Sequence, residues 1–144
     1  YRLTGPLREL VIAPPASERA RLDNLWRATC FEFFAAAQGQ PNYHEVNLSP
    51  SGNWQAYAFT GYREGQALLP VTHFTSTCER ANANTLQLSC EILLAPLSSA
   101  PSLDISVTAI LEHGGGGKSY WALTHTGERP DFHRRDSFIL KCAS

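Results

Sequence analysis

Two stretches of the chain alternate between apolar and polar residues with a period of two. Residues 84–94 (NTLQLSCEILL) place Leu86, Leu88, Cys90, Ile92 and Leu94 on one side. Residues 103–112 (LDISVTAILE) do the same with Leu103, Ile105, Val107, Ala109 and Leu111. A helix repeats every 3.6 residues and would smear such a pattern around its axis, whereas a strand sends alternate side chains to opposite faces. Both stretches therefore read as half-buried strands, and any fold for the chain must pair them.

The remaining runs extend the same theme. Residues 7–12 (LRELVI) read as a first strand stopped by Pro14 and Pro15, and residues 28–36 (ATCFEFFAA) as a second. Residues 43–48 and 53–60 form a hairpin candidate around Ser49, Pro50, Ser51 and Gly52, which suit the four positions of a type I turn. Residues 68–75, 118–124 and 137–142 complete a set of short strands separated by turn signals, and Gly114 to Gly117 turn the chain before the last two. Residues 16–25 alone suggest one or two helical turns. The expectation is an all-β, antiparallel two-sheet β-sandwich over residues 1–144 with at most one short helix. Its inner faces are expected to carry Phe31, Phe33, Leu86, Leu88, Ile92, Ile105, Val107 and Ile139, with Phe34 marking the alternative face of its strand.

Composition narrows the function classes. With 43% apolar and 17% charged residues, the chain can bury a core and is not disordered. Its net charge is −1 with no basic stripe, so neither nucleic acid nor an anionic membrane is an expected partner. No apolar run reaches the length of a membrane span. Cys30, Cys78, Cys90 and Cys142 contain no C-x-x-C pair and are expected to be thiols in a cytoplasmic protein, with a Cys30–Cys90 bridge as the alternative. A secretory leader is not expected, and Tyr1 is not expected to be the translation start.

The hairpin holds the chemistry. In YHEVNLSPSGNWQAY (43–57), Tyr43, Glu45 and Asn47 share one face of the first strand, and Trp54, Ala56 and Ala58 alternate with Gln55, Tyr57 and Phe59 on the second. An acid, an amide and aromatic rings on neighbouring strands suit a sugar: rings stack on its C–H face, and the polar groups take its hydroxyls. The competing reading has Tyr43 and Trp54 in the core and Glu45 in solvent. Trp121 supplies either core or a second aromatic wall facing Trp54. Glu32, between phenylalanines, requires a partner, for which Arg63 is the candidate.

Other signals are weaker. HTGERP (125–130) imitates a zinc-finger linker, but the cysteine pair and second histidine of a finger are missing. His125, Asp131 and His133 are metal-capable without a ligand spacing, and hydrogen bonding that ties the last loop down is the expected role of Asp131 and His133. No nucleophile motif or phosphate loop is present. A hydrolase would have to draw its acid and base from Glu32, Glu45, Asp131 and His133.

Taken together, LWRATCFEFFAA, YHEVNLSPSGNWQAY, GYREG, SYWALTH and PDFH resemble the small bacterial DOMON-like domain proteins, relatives of the family 9 carbohydrate-binding modules. The resemblance runs from about Leu25 to His133. It implies a β-sandwich with a ligand pocket that takes a sugar or haem. The sugar option implies a small-molecule or oligosaccharide ligand near Trp54 and Trp121, with Glu45, Asn47 and Arg63 as polar contacts and Tyr43 beside them. The haem branch ligates through methionine and histidine. The sequence has no methionine, which leaves a His73–His125 pair as the alternative. No cofactor is expected.

Overall fold

In the computed structural model, which describes residues 1–97 and 99–143, the chain forms ten strands in two antiparallel sheets. They are β1 (Arg2–Thr4), β2 (Cys30–Ala37), β3 (Tyr43–Leu48), β4 (Trp54–Phe59), β5 (Ala67–Leu68), β6 (Phe74–Asn82), β7 (Thr85–Ile92), β8 (Ser102–Glu112), β9 (Lys118–Ala122) and β10 (Leu140–Ala143). The small sheet has the order β1-β7-β6. The large one runs β10-β8-β2-β3-β4-β5, with β9 beside β10 on the same edge of β8. This is the all-β sandwich that the alternation predicts, and no helix is long and apolar enough to cross a membrane among the described residues.

The inter-sheet core follows the pattern of β7. Leu86 and Leu88 are buried against Phe31, Val46, Leu48 and Ala56 of the large sheet, while Cys90, Ile92 and Leu94 pack around them. Gln87, Ser89 and Glu91 face solvent. Burying a leucine fully contributes about 1.5–3 kcal/mol, so this one alternating run anchors the small sheet.

β8 departs from expectation. Its polar residues Asp104, Ser106 and Thr108 are buried, whereas Ile105, Val107 and Ala109 are only half-buried. The small sheet covers just part of one face of the large sheet. The other face is roofed by the returning segment after β9, which contributes Phe132 and Phe138 to a second core with Phe34, Ala36, Tyr43, Tyr57, Phe59 and Ile110. β2 therefore has core on both faces: Phe31 and a partly buried Phe33 on one, Phe34 on the other. Ile139, expected inside, is 50% exposed because residues 135–137 make a single 3-10 turn and the strand begins only at Leu140.

Three other expectations are corrected. Residues 7–12 form a 3-10 turn at Leu7–Glu9 and one bridge at Leu10, not a strand. Residues 16–25 form no helix. Their backbone runs beside the start of β4, with Ala20 accepting from the Trp54 N–H and Leu22 donating to the Trp54 carbonyl, so its polar groups are satisfied between segments rather than within a helix. Only Leu25–Arg27 closes a 3-10 turn. The strand expected at 68–75 is two: β5 is shorter and β6 begins at Phe74.

The turn between β3 and β4 forms where the sequence places it. Gly52 donates its N–H to the Ser49 carbonyl at 3.0 Å, and Ser49 Oγ accepts from the Ser51 N–H at 3.2 Å. The four cysteines are free, and burial raises the Cys30 thiol pKa well above its usual range.

Candidate functional site

The register of the large sheet decides which side chains meet. Glu32 on β2 lies opposite Asn47 on β3 and Thr108 on β8, while Glu45 lies opposite Phe34 and Tyr57. Residues in register share a face, so Glu32, Glu45, Asn47, Tyr57, Phe59 and Thr108 all project to the side away from the small sheet. There they meet the segment 130–133 and the loop 61–66. Together these elements enclose a cavity of about 380 Å³.

Two carboxyl groups form its floor. Glu32 and Glu45 are diagonal neighbours on adjacent strands, which sets their Cβ atoms roughly 7–8 Å apart or slightly less. Both are more than nine-tenths buried. Burial, and then the charge of Glu45, push the Glu32 pKa up to about 8, against hydrogen bonds from Thr108 and Cys30. Thr108 Oγ1 lies 3.4 Å from Glu32 Oε2, but Oε1 has no hydrogen-bond partner. Burial lifts Glu45 to about 7, opposed by a hydrogen bond from Asn47 and the charge of Arg63.

The walls are aromatic and apolar. Tyr57 and Phe59 rise from β4, Ile110 from β8 and Tyr120 from β9, with Phe132 closing the roof. Tyr120 and Trp26 are exposed at the mouth. Tyr57 is held by its hydroxyl, which donates to Asp23 Oδ1 at 2.7 Å. A second, more open cavity, also about 380 Å³, shares Trp26, Tyr57 and Gln66 with the first and continues to Asp23 and Leu68. The two form an extended groove.

The rim is a hydrogen-bonded network. Arg63 donates to Asp131 Oδ1 at 2.9 Å, Tyr62 bonds the other oxygen of Asp131, and the His133 N–H donates to Oδ1 at 3.1 Å. Burial alone would raise the Asp131 pKa, but these bonds hold it below its usual value. His133 Nδ1 lies 2.7 Å from the Tyr43 hydroxyl, and Nε2 lies 3.8 Å from Glu45 Oε2. Burial and the nearby Arg63 charge depress His133 to about 4, so its imidazole is neutral near pH 7.

The residues singled out in the sequence divide accordingly. Glu45 and Arg63 line the cavity. Tyr43 and Asn47 stand behind it: Tyr43 is fully buried, stacked on Phe59 at 4.8 Å, and Asn47 Nδ2 donates to Glu45 Oε1 at 2.8 Å. Trp54 and Trp121 project to the opposite face of the sheet. Trp54 stacks on Phe74 at 3.9 Å with the Arg21 guanidinium over its ring, and Trp121 is 60% exposed on β9. Three strands, β8, β2 and β3, separate the positions of the two tryptophans, so they do not face one another across a ligand.

Arg63 pairs with Asp131 and not with Glu32, because the tight turn at Gly61–Glu64 carries it to the rim while Glu32 lies at the floor. Asp131 and His133 do tie the last loop to the sandwich. His125 instead approaches the Tyr120 carbonyl and the Phe132 ring. His73 sits beside Glu91 on the small sheet, so the His73–His125 pair is divided by the large sheet. Among the described residues no three His, Cys, Asp or Glu side chains gather as a metal site.

Tyr57, Phe59, Tyr120 and Phe132, which form the walls, are not among the candidate ligand contacts that residue chemistry alone singles out. For the first two the signal is the hairpin register itself, which puts Tyr57 across from Glu45. No family model, curated protein or solved structure matches the chain.

Proposed function

We propose that this domain binds a carbohydrate without transforming it, in the groove over Glu32, Glu45, Tyr57, Phe59 and Tyr120. One observation carries the reading: aromatic rings surround a floor of hydrogen-bonding carboxyl groups on a single face of the large sheet. Pyranose rings have that division of surface, with C–H faces for stacking and hydroxyls for paired polar contacts. The adjoining cavity gives room for a second sugar unit, which favours an oligosaccharide. The likeness to bacterial DOMON-like domains and family 9 modules points the same way. Haem or metal binding is the alternative that likeness brings with it. A non-membrane, reducing, cytoplasmic setting accords with four free thiols.

A hydrolytic reading has one observation in its favour, because Glu32 and Glu45 share the cavity. Hydrolysis, however, requires carboxyl groups on both sides of the scissile bond and with divergent acidities. These two rise from one floor, and both are shifted upward.

Calorimetric titration with a panel of mono- and oligosaccharides, neutral and amino-substituted, tests the binding reading. At least one should bind with a dissociation constant tighter than about 1 mM, and Tyr120→Ala should weaken it with the circular dichroism spectrum unchanged. Release of reducing ends from the bound oligosaccharide would contradict the non-catalytic claim, and silence across the panel would contradict the carbohydrate claim.

A further inference from the structure

The floor of the groove places two buried carboxyl groups side by side. Glu32 is 3% exposed, lines the cavity, and keeps Oε1 without a partner. Among the described residues neither Glu32 nor Glu45 pairs with a lysine or arginine. Arg63, whose charge reaches Glu45 without forming a salt bridge to it, is engaged by Asp131; Lys118 Nζ donates to the Arg27 carbonyl at 2.7 Å, and His133, 3.8 Å from Glu45, is neutral. Buried carboxylates are ordinarily paired or held protonated, and two carboxyls with no bonded cation stay protonated unless a cation enters to compensate them.

We propose that the ligand presents a primary ammonium group to Glu32 and Glu45, so that the preferred carbohydrate is an amino sugar. An ammonium has three N–H donors. One meets the unpartnered Glu32 Oε1 and another the Glu45 carboxylate, and the aromatic rings of Tyr57 and Phe59 line the same cavity. A neutral hydroxyl at this position leaves the carboxyls protonated and gains neutral hydrogen bonds only, whereas an ammonium makes charge-assisted ones. With both carboxyls shifted upward, the empty pocket holds protons near pH 7, and a bound ammonium releases them to solvent. The identity of the ring rests on the carbohydrate reading above, whereas the charge does not.

Two matched sets separate these claims. Titration at pH 7 uses glucose, glucosamine and N-acetylglucosamine, and then cyclohexanol and cyclohexylammonium. Glucosamine should bind at least ten-fold tighter than glucose, N-acetylglucosamine no tighter than glucose, and Glu32→Gln should erase the preference. Calorimetry in buffers of different ionisation heat should register proton release with glucosamine and none with glucose. Equal or weaker binding of glucosamine overturns the ammonium proposal and leaves carbohydrate binding standing. Binding of cyclohexylammonium ten-fold above cyclohexanol, with no sugar bound, supports the ammonium site and removes the carbohydrate reading. Absence of binding in both sets overturns both.

Discussion

Asn47 donates from Nδ2 to Glu45 Oε1 at 2.8 Å, and the two side chains stand two residues apart on the same face of β3. The contact fixes the orientation of a buried carboxyl group that lines the groove, although Asn47 itself does not reach the ligand space. Asn47→Ala removes the donor and opens space beneath Glu45. The expected cost is about 1–3 kcal/mol in urea unfolding. Carboxyl carbon NMR should also show the Glu45 titration midpoint moving upward from about 7, since the lost hydrogen bond favours the ionised form. An unchanged midpoint would contradict this positioning role.

The floor glutamates set a pH signature. A carboxyl whose folded pKa exceeds its unfolded value keeps its proton longer in the native state, so stability falls as pH rises between the two values. For Glu32 that window runs from its ordinary 4.5 up to about 8, and for Glu45 from 4.5 to about 7. Below about 6.5 the depressed His133 acts with the opposite sign, because the unfolded chain then takes up the proton that the buried ring refuses. His44, likewise lowered by burial, adds to it. The glutamate effect is therefore cleanest between pH 6.5 and 8, where stability should drop by on the order of a few kcal/mol. Glu32→Gln should flatten most of this fall and exceed the wild type in stability at pH 8. A wild-type profile rising through that window would refute the assignment.

Trp54 and Tyr120 should separate stability from binding. Trp54 seals the sheet edge by stacking on Phe74, so Trp54→Ala is expected to cost about 3–5 kcal/mol as other core tryptophans do, less its partial exposure. Sugar affinity in the folded fraction should be unchanged. Tyr120→Ala, at an exposed position, should leave the unfolding midpoint within about 0.5 kcal/mol while weakening the ligand. The reversed pattern would move the site to the other face.

Gly52 tests the hairpin turn. Its φ of 91° lies in the left-handed region, and a Cβ there would come within 2.9 Å of Arg19 Nε. Arg19 in turn donates to the Ser76 carbonyl at 2.6 Å, joining the turn to β6. Gly52→Ala should cost about 1 kcal/mol or more by denaturant unfolding, through backbone strain and displacement of Arg19. A neutral substitution would contradict the turn geometry.

The strands of this fold were legible where a single face is buried. β7 shows it plainly, because its apolar residues meet the large sheet and its polar ones meet water. β8 misled for a physical reason: a distant segment, 130–138, covers its polar face, and local alternation carries no trace of that roof. The site was half legible. Glu45 and the hairpin emerged from residue chemistry, but a face assignment needs the register. Leu48 pairs with Trp54, an odd step from Glu45, so the tryptophan and the glutamate fall on opposite faces while Tyr57 joins the glutamate. The roof residues Phe132 and His133 come from far along the chain, and only tertiary packing brings them to Glu45.

The most direct test of the groove is backbone amide NMR of the labelled protein, titrated with the tightest-binding sugar or amino sugar. The shifted amides should cluster at Glu45, Tyr57, residues 61–63, Tyr120, Phe132 and His133, with those of Trp54, Phe74 and Trp121 unmoved. Shifts centred on Trp54 and Trp121, with the segment around Phe132 silent, would place the ligand on the opposite face and contradict the groove site.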